Sequence, residues 1–281
     1  MLSKTILSGA SFFKNLPWLE IAWVATLVSL IFLYFEPELS RWWFSPTQGR
    51  VGIAYLDEDF ADSCMAEPYV VSLPTSYYQQ TNWPLLVFLH GSGERGNDSK
   101  RPYEIAERLA GSYAGEMPAV IIVPQCRRSH YRWQANDIRR LITIANRDYD
   151  IDPNRTYLIG FSMGAYGTWG AAAANPDLFA AIVPMAGGGD CESATELAAV
   201  PTWAFHGEKD EVVPVTETTG MIDAIRAEGG SARLTLYPKM KHFVFHRAIE
   251  TPELWDWLFE QSLEYRQIPS SITPNSNKYQ K

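Results

Sequence analysis

Ser162 stands in Gly160-Phe161-Ser162-Met163-Gly164, after the apolar run Tyr157–Phe161 and before the small-residue stretch Ala165 to Ala174. On a strand-to-helix turn, two such glycines let a serine project its hydroxyl without colliding with the neighbouring chain. A serine hydroxyl is a weak nucleophile at neutral pH, so it needs a base within hydrogen-bond reach and an acid to orient that base. Asp210 follows the run Thr202–Phe205, at the end of His206-Gly207-Glu208-Lys209-Asp210. His242 follows Leu234–Tyr237, at the end of Pro238-Lys239-Met240-Lys241-His242. Asp210 is the candidate acid and His242 the candidate general base. Glu208, Glu211 and Asp190 are rival acids, and His246 is a rival base. The chemistry such a set performs is acyl transfer, whose tetrahedral intermediate needs two preorganised N–H donors. The backbone amide of Met163 is one candidate. The loop His90-Gly91-Ser92-Gly93-Glu94-Arg95-Gly96 offers the other at Ser92, because its glycines let the backbone approach a substrate closely. The lysine-then-hydroxyl ending of a nucleotide loop is missing there, and His90 reads as a structural residue at a strand end. His242, His246 and Glu250 could form one face of a helix for a metal. Phe243, however, holds the place of the glutamate that a helical zinc protease requires. Neither a metal nor an organic cofactor is expected.

Positioning these groups falls to a series of short apolar runs: Val70–Leu73, Leu85–Leu89, Val120–Val123, Tyr157–Phe161, Ala180–Pro184, Thr202–Phe205 and Leu234–Tyr237. Continuous apolar strands of this length suit a sheet buried on both faces, which means a mostly parallel one. Between them, residues 135–149 place Ile138, Leu141, Ile142 and Ala145 at helical spacing. Residues 218–227 do the same with Met221, Ile222 and Ile225, stopping at Gly229-Gly230. Leu254, Trp255, Leu258, Phe259 and Leu263 make a last amphipathic helix. This alternation predicts an α/β fold with a doubly wound, mostly parallel sheet of about seven to eight strands. Functional groups in such sheets gather at the carboxyl ends of the strands, where Ser162, Asp210 and His242 all fall.

The chain has 281 residues, with 24 Lys+Arg against 32 Asp+Glu, and no long basic stripe. Nucleic acid is therefore not the expected partner, since that binding rests on neutralising phosphates. Cys64, Cys126 and Cys191 are too few for a disulfide scaffold. At most one bridge can form, and its pairing stays open. Near the amino terminus, Ile21 to Phe35 is an uncharged run, and extension back to Leu16 reaches the length needed to span a bilayer if Glu20 sits hydrated at the interface. Lys4 and Lys14 precede it, and Trp18, Trp42 and Trp43 flank it like an interfacial belt. The expected organisation is a cytoplasmic stub (1–15), a hydrophobic membrane-anchor helix (16–35), a connecting segment (36–67), a catalytic domain (68–265) and a mobile tail (266–281). The catalytic domain is then extracytoplasmic. Secretion after cleavage of a signal is the alternative, although no small-residue processing site follows the run.

The chain order Ser162, Asp210, His242 is the one expected of an α/β-hydrolase triad. Four motifs occur in register: His90 to Gly96, Pro124-Gln125-Cys126, Gly160 to Trp169, and His206 to Asp210. Together they resemble the phospholipase/carboxylesterase and dienelactone-hydrolase-like branch of the α/β-hydrolase superfamily, which includes secreted esterase- and peptidase-like members. The resemblance covers about residues 68 to 265. It implies a serine nucleophile at Ser162, an acid at Asp210, a base at His242, and oxyanion donors at Ser92 and Met163. In two places the chain departs from the branch: Ala165 replaces a second glycine after the elbow, and Lys241 replaces the glycine that usually precedes the base. The expected activity is hydrolysis of a small or lipid-like carboxylic ester through an acyl-enzyme. A peptidase or an acyltransferase would use the same triad, and a non-catalytic binding module of the same fold is the alternative outside enzymology. Oligomeric state is not encoded in any of these features.

Overall fold

A strand covered on both faces can carry an apolar side chain at every position, and the central strands of this protein do so. The computed structural model describes residues 51–56 and 63–266, all within the compact unit Phe44–Lys281. Eight strands follow in order: β1 (Val51–Ala54), β2 (Met65–Ser72), β3 (Trp83–Leu89), β4 (Val120–Cys126), β5 (Ile151–Phe161), β6 (Ala181–Met185), β7 (Thr202–Gly207) and β8 (Ala232–Tyr237). The helices are α1 (Lys100–Ala110), α2 (Ala135–Asp148), α3 (Met163–Ala174), the short α4 (Ala194–Leu197), α5 (Val215–Ala227), α6 (Phe245–Ile249) and α7 (Pro252–Glu260). All strands join one sheet in the order β1-β2-β4-β3-β5-β6-β7-β8. From β4 to β8 neighbouring strands are parallel, while β1 and β2 add an antiparallel edge. This is the expected α/β-hydrolase fold.

Side chains alternate across the sheet with the two-residue period of a strand. Leu85, Val87 and Leu89 of β3 enter a core with Ile138 and Leu141 of α2, Trp169 of α3 and Met221 and Ile222 of α5. Leu86 and Phe88 face the other way, into a core with Ala106 and Leu109 of α1, Ala248 of α6 and Leu254, Trp255 and Leu258 of α7. Two cores on a shared sheet give the three layers. Truncating a central residue such as Leu86 to alanine would cost about 2–5 kcal/mol.

Several boundaries differ from the expectation, each for a local reason. Residues 51–54 lie inside the stretch read as a connecting segment, yet they pair with β2, Val51 opposite Ser72. Four residues with mixed exposure are too short to show a period. Strand β2 begins at Met65, well before the apolar run. Pro68 interrupts it, and the register against β4 shifts between Ala66 and Val70, as expected where a residue without an N–H enters a ladder. Helix α1 has no counterpart in the apolar pattern because its buried stripe is only Pro102, Ala106 and Leu109. Arg266, read as the first residue of a mobile tail, is docked instead: its guanidinium donates to the carbonyls of Pro176 and Phe179. Residues 267–281, and the hydrophobic run at 16–35 with its flanking tryptophans, lie outside the described residues. Among the described residues, no helix is long and apolar enough to cross a membrane.

Candidate active site

The turn from β5 into α3 explains both glycines around Ser162. A Cβ at Gly160 would lie 2.2 Å from the Gly164 carbonyl oxygen, and one at Gly164 would lie 1.9 Å from that of Leu89. Neither position tolerates a side chain. Between them Ser162 adopts φ 54° and ψ −116°, a conformation that costs a non-glycine residue about 1–3 kcal/mol. Surrounding hydrogen bonds hold it there. The Ser162 N–H donates to Met185 O at 2.9 Å, and the Ser162 carbonyl accepts from Ala165 N–H at 2.8 Å.

The structure brings Ser162, His242 and Asp210 together from three strand ends. Ser162 Oγ lies 2.8 Å from His242 Nε2, and His242 Nδ1 lies 2.7 Å from Asp210 Oδ2. A carboxylate can only accept, so Nδ1 carries the ring proton and Nε2 is left to accept from the serine hydroxyl. The other carboxylate oxygen, Oδ1, accepts from the N–H groups of Val212 and Val213 at 2.8 and 2.9 Å. Burial pushes the Asp210 carboxyl up, but the hydrogen bond from His242 and those backbone donors outweigh it. The group therefore stays ionised below the usual carboxylate range. Contacts between the two loops hold Asp210 and His242 side by side: Glu208 N–H donates to Tyr237 O at 3.1 Å and Lys209 N–H to Met240 O at 3.0 Å. A Cβ at Gly207 would lie 2.3 Å from Lys241 O, so the close approach of these loops requires glycine there. Lys241, which replaces the usual glycine before the base, points outward and pairs with Glu211 at 2.9 Å.

The rival residues are engaged elsewhere. Asp190 Oδ1 caps a 3-10 turn through Glu192 N–H, Glu208 is exposed, and Glu211 is taken by Lys241. His246 sits on α6, and His242 lies in the preceding loop, so the two do not share a helix face. Among the described residues, no group of three or more His, Cys, Asp or Glu is placed to hold a metal ion.

Ser92 opens a 3-10 turn and Met163 opens α3, so neither N–H has an acceptor inside its own helix. Both residues line one cleft of about 580 Å³, together with Tyr131, Trp133 and Tyr166. The Ser92 loop is pinned by its neighbours. His90 Nε2 accepts from Cys126 N–H at 3.0 Å, so its Nδ1 carries the proton and donates to Gly91 O at 2.7 Å. Burial lowers this imidazole to about 4, and it stays neutral in that role. Trp133 Nε1–H donates to His90 O at 3.1 Å, and Arg95 Nε–H donates to Ser92 O at 3.0 Å. The free thiols of Cys64 and Cys126 are buried under this end of the sheet, and that of Cys191 is exposed.

A second cleft, of about 350 Å³, is bounded by Gly91, Phe161, Phe243, Phe245 and, on its rim, Arg101 and Arg108. The Phe161 ring lies 5.1 Å from the imidazole of His242 and 6.0 Å from Phe243, which is 73% exposed at the mouth. Sequence reasoning missed this aromatic wall. Its only trace is the pair of phenylalanines next to Ser162 and His242 in the chain. Missed too was any role for His206, which the motif His206 to Asp210 contained without distinguishing it.

Several known proteins are similar to parts of this chain. A thermostable esterase is 32% identical with a TM-score of 0.63, over 69% of this chain and 59% of that one. An S-formylglutathione hydrolase from Agrobacterium tumefaciens shares the fold with a TM-score of 0.61 at 14% identity, over 78% of this chain and 97% of that one. A bifunctional acetylxylan esterase/xylanase from Neocallimastix patriciarum is 26% identical over 151 residues, which are 52% of this chain and 22% of that protein. The chain thus spans about a fifth of this curated relative's length. A match to the dienelactone hydrolase family runs from residue 52 to 253, most of the chain, and the protein belongs to that family.

Proposed function

We propose that the protein is a serine hydrolase that cleaves carboxylic esters through an acyl-enzyme. Ser162 attacks the ester carbonyl as His242 takes its proton, and Asp210 holds the imidazolium that forms. The amides of Ser92 and Met163 receive the oxyanion, each donor contributing about 3–4 kcal/mol to the transition state. His242 then returns the proton to the departing alcohol, and water releases the acid by the same route in reverse. The two clefts beside the serine receive the two arms of the ester. The observation that carries this reading is the continuous chain Ser162–His242–Asp210 with contacts of 2.8 and 2.7 Å. Esterase names among the similar proteins agree with it.

The experiment is to treat the full-length protein with a fluorophosphonate probe and locate the adduct by peptide mass spectrometry. Labelling at Ser162, with release of p-nitrophenol from short acyl esters that Ser162→Ala abolishes, is the expected result. Absence of both labelling and turnover across acyl lengths would favour the binding module.

Residues 16–35 are proposed to tether the enzyme to a membrane with its catalytic domain outside the cytoplasm, on the strength of the uncharged run from Ile21 to Phe35. The full chain should then stay with membranes after an alkaline carbonate wash, and its recovery in the soluble fraction would reject the tether.

A further inference from the structure

Asp210 Oδ2 is shared by two imidazoles. His242 Nδ1 approaches it at 2.7 Å, and His206 Nε2, from the end of β7, at 3.1 Å. Both the Asp210 and His206 side chains are 0% exposed, so no solvent proton can complete their hydrogen bonding. His206 Nε2 also lies 3.0 Å from Val213 O. Its two neighbours are both pure acceptors, so Nε2 carries a proton. On the other side of the ring, Nδ1 is 2.7 Å from Thr218 Oγ1, and that hydroxyl is 2.6 Å from Gly187 O.

A threonine hydroxyl has one proton to give. If it goes to the Gly187 carbonyl, which can only accept, then Nδ1 must donate to Oγ1 and the ring holds two protons. If Nδ1 were bare, the hydroxyl proton would be used on the ring. Gly187 O and Thr218 Oγ1 would then face each other at 2.6 Å, lone pair against lone pair, with no water to intervene. Only the doubly protonated ring leaves donors for both the Thr218 hydroxyl and the Val213 carbonyl while the Thr218 proton goes to Gly187 O. We infer that His206 is a buried imidazolium, a positioning residue whose fixed positive charge sits on the acid of the triad. The chain of donors then runs from His206 Nδ1–H to Thr218, from Thr218 to Gly187 O, and from His206 Nε2–H to Val213 O, with Asp210 Oδ2 held 3.1 Å from the same nitrogen.

This chain ties the acid to the nucleophile. Gly187 packs against the elbow so tightly that a Cβ there would lie 2.9 Å from Ser162 O. The other titratable groups around the cluster are His242 on the base loop, Glu217 on α5 and Tyr166 on α3, whose hydroxyl meets Glu217 at 3.5 Å. A cation held on Oδ2 draws off part of the field that Asp210 would otherwise direct at His242, and so helps keep the base unprotonated between turnovers. That kinetic consequence rests on the role proposed for His242. The protonation of His206 does not.

The direct measurement is nitrogen NMR of the full-length protein labelled at histidine, with the five rings assigned through single substitutions of the other four. Both His206 ring nitrogens should carry protons at neutral pH, and a bare Nδ1 would overturn the inference. In His206→Gln the cation is lost, so the acidic limb of kcat/KM against pH should move to higher pH by about one unit. An unmoved limb with only a lower plateau would reject the charge effect and leave a packing role. Should His206→Gln not fold, the wild-type ring signals alone decide. If fluorophosphonate fails to label Ser162, the esterase reading falls while the state of His206 is still read.

Discussion

The turn that carries Ser162 and the loops that carry Asp210 and His242 meet within 3 Å, yet they are built by opposite means. Around Ser162 the geometry is imposed by exclusion: backbone atoms fill the space where side chains at Gly160 and Gly164 would go. Strand β5 lies in the middle of the sheet with a parallel neighbour on each side. Asp210 and His242, by contrast, hang from the ends of β7 and β8, where among the described residues β8 has no strand beyond it and is only half-buried. There the geometry is imposed by hydrogen bonds between loops and by three donors converging on one carboxylate, with the His206 ring beside it. Steric exclusion fails abruptly, through loss of the fold. Hydrogen-bonded loops fail gradually, through loss of alignment.

Substitutions can break this contrast, the largest effect coming from the proposed nucleophile, Ser162. Ser162→Ala is expected to lower kcat for p-nitrophenyl esters by about 10⁵-fold or more without loss of the folded signal in circular dichroism. Asp210→Asn should lower kcat by about 10⁴-fold, since an amide no longer fixes the imidazole tautomer. The same carboxyl bears on acid stability. Its folded value is depressed from 3.8, so its contribution is fully present above pH 3.8 and is lost as pH falls through the lower folded value. Acid unfolding of Asp210→Asn should therefore depend less on pH in that range, which urea melts at several acidic pH values can read.

Two glycine substitutions then separate the two modes. Gly164→Ala should cost about 3 kcal/mol of stability or prevent folding, because its Cβ meets the fixed Leu89 carbonyl. Gly207→Ala meets loop carbonyls that can move. It should lower kcat by about 100-fold through displacement of His242 while stability drops by only about 1 kcal/mol. Equal stability losses in the two variants would dissolve the distinction. The smallest effect belongs to Lys241→Ala, which removes an exposed ion pair with Glu211. It should change stability by less than about 1 kcal/mol and leave turnover intact.

Ser162 was legible because everything that defines it is local: a strand, two glycines and a helix within a few residues. The central strands were legible because burial on both faces writes itself as unbroken apolar runs. What escaped was written weakly or not at all. Strand β2 was hidden by Pro68, β1 by its shortness, and α1 by a buried stripe with a proline and an alanine in it. His206 sat in plain view in the same motif as Asp210. A histidine that faces solvent and one held against a buried carboxylate look alike along a chain, and the partner that distinguishes them, Thr218, lies on the next helix.

Residue order along the chain was enough to specify the two-sided sheet, the serine turn and the carboxyl-end loops, because periodicity and glycine placement act over a few bonds. The meeting of Ser162 with His242, 80 positions away, and the choice of Asp210 over Glu208 or Glu211 were decided only when parallel strands aligned their ends. The protons on His206 were decided there as well, since protonation answers to what lies around a ring in space and to whether water can reach it.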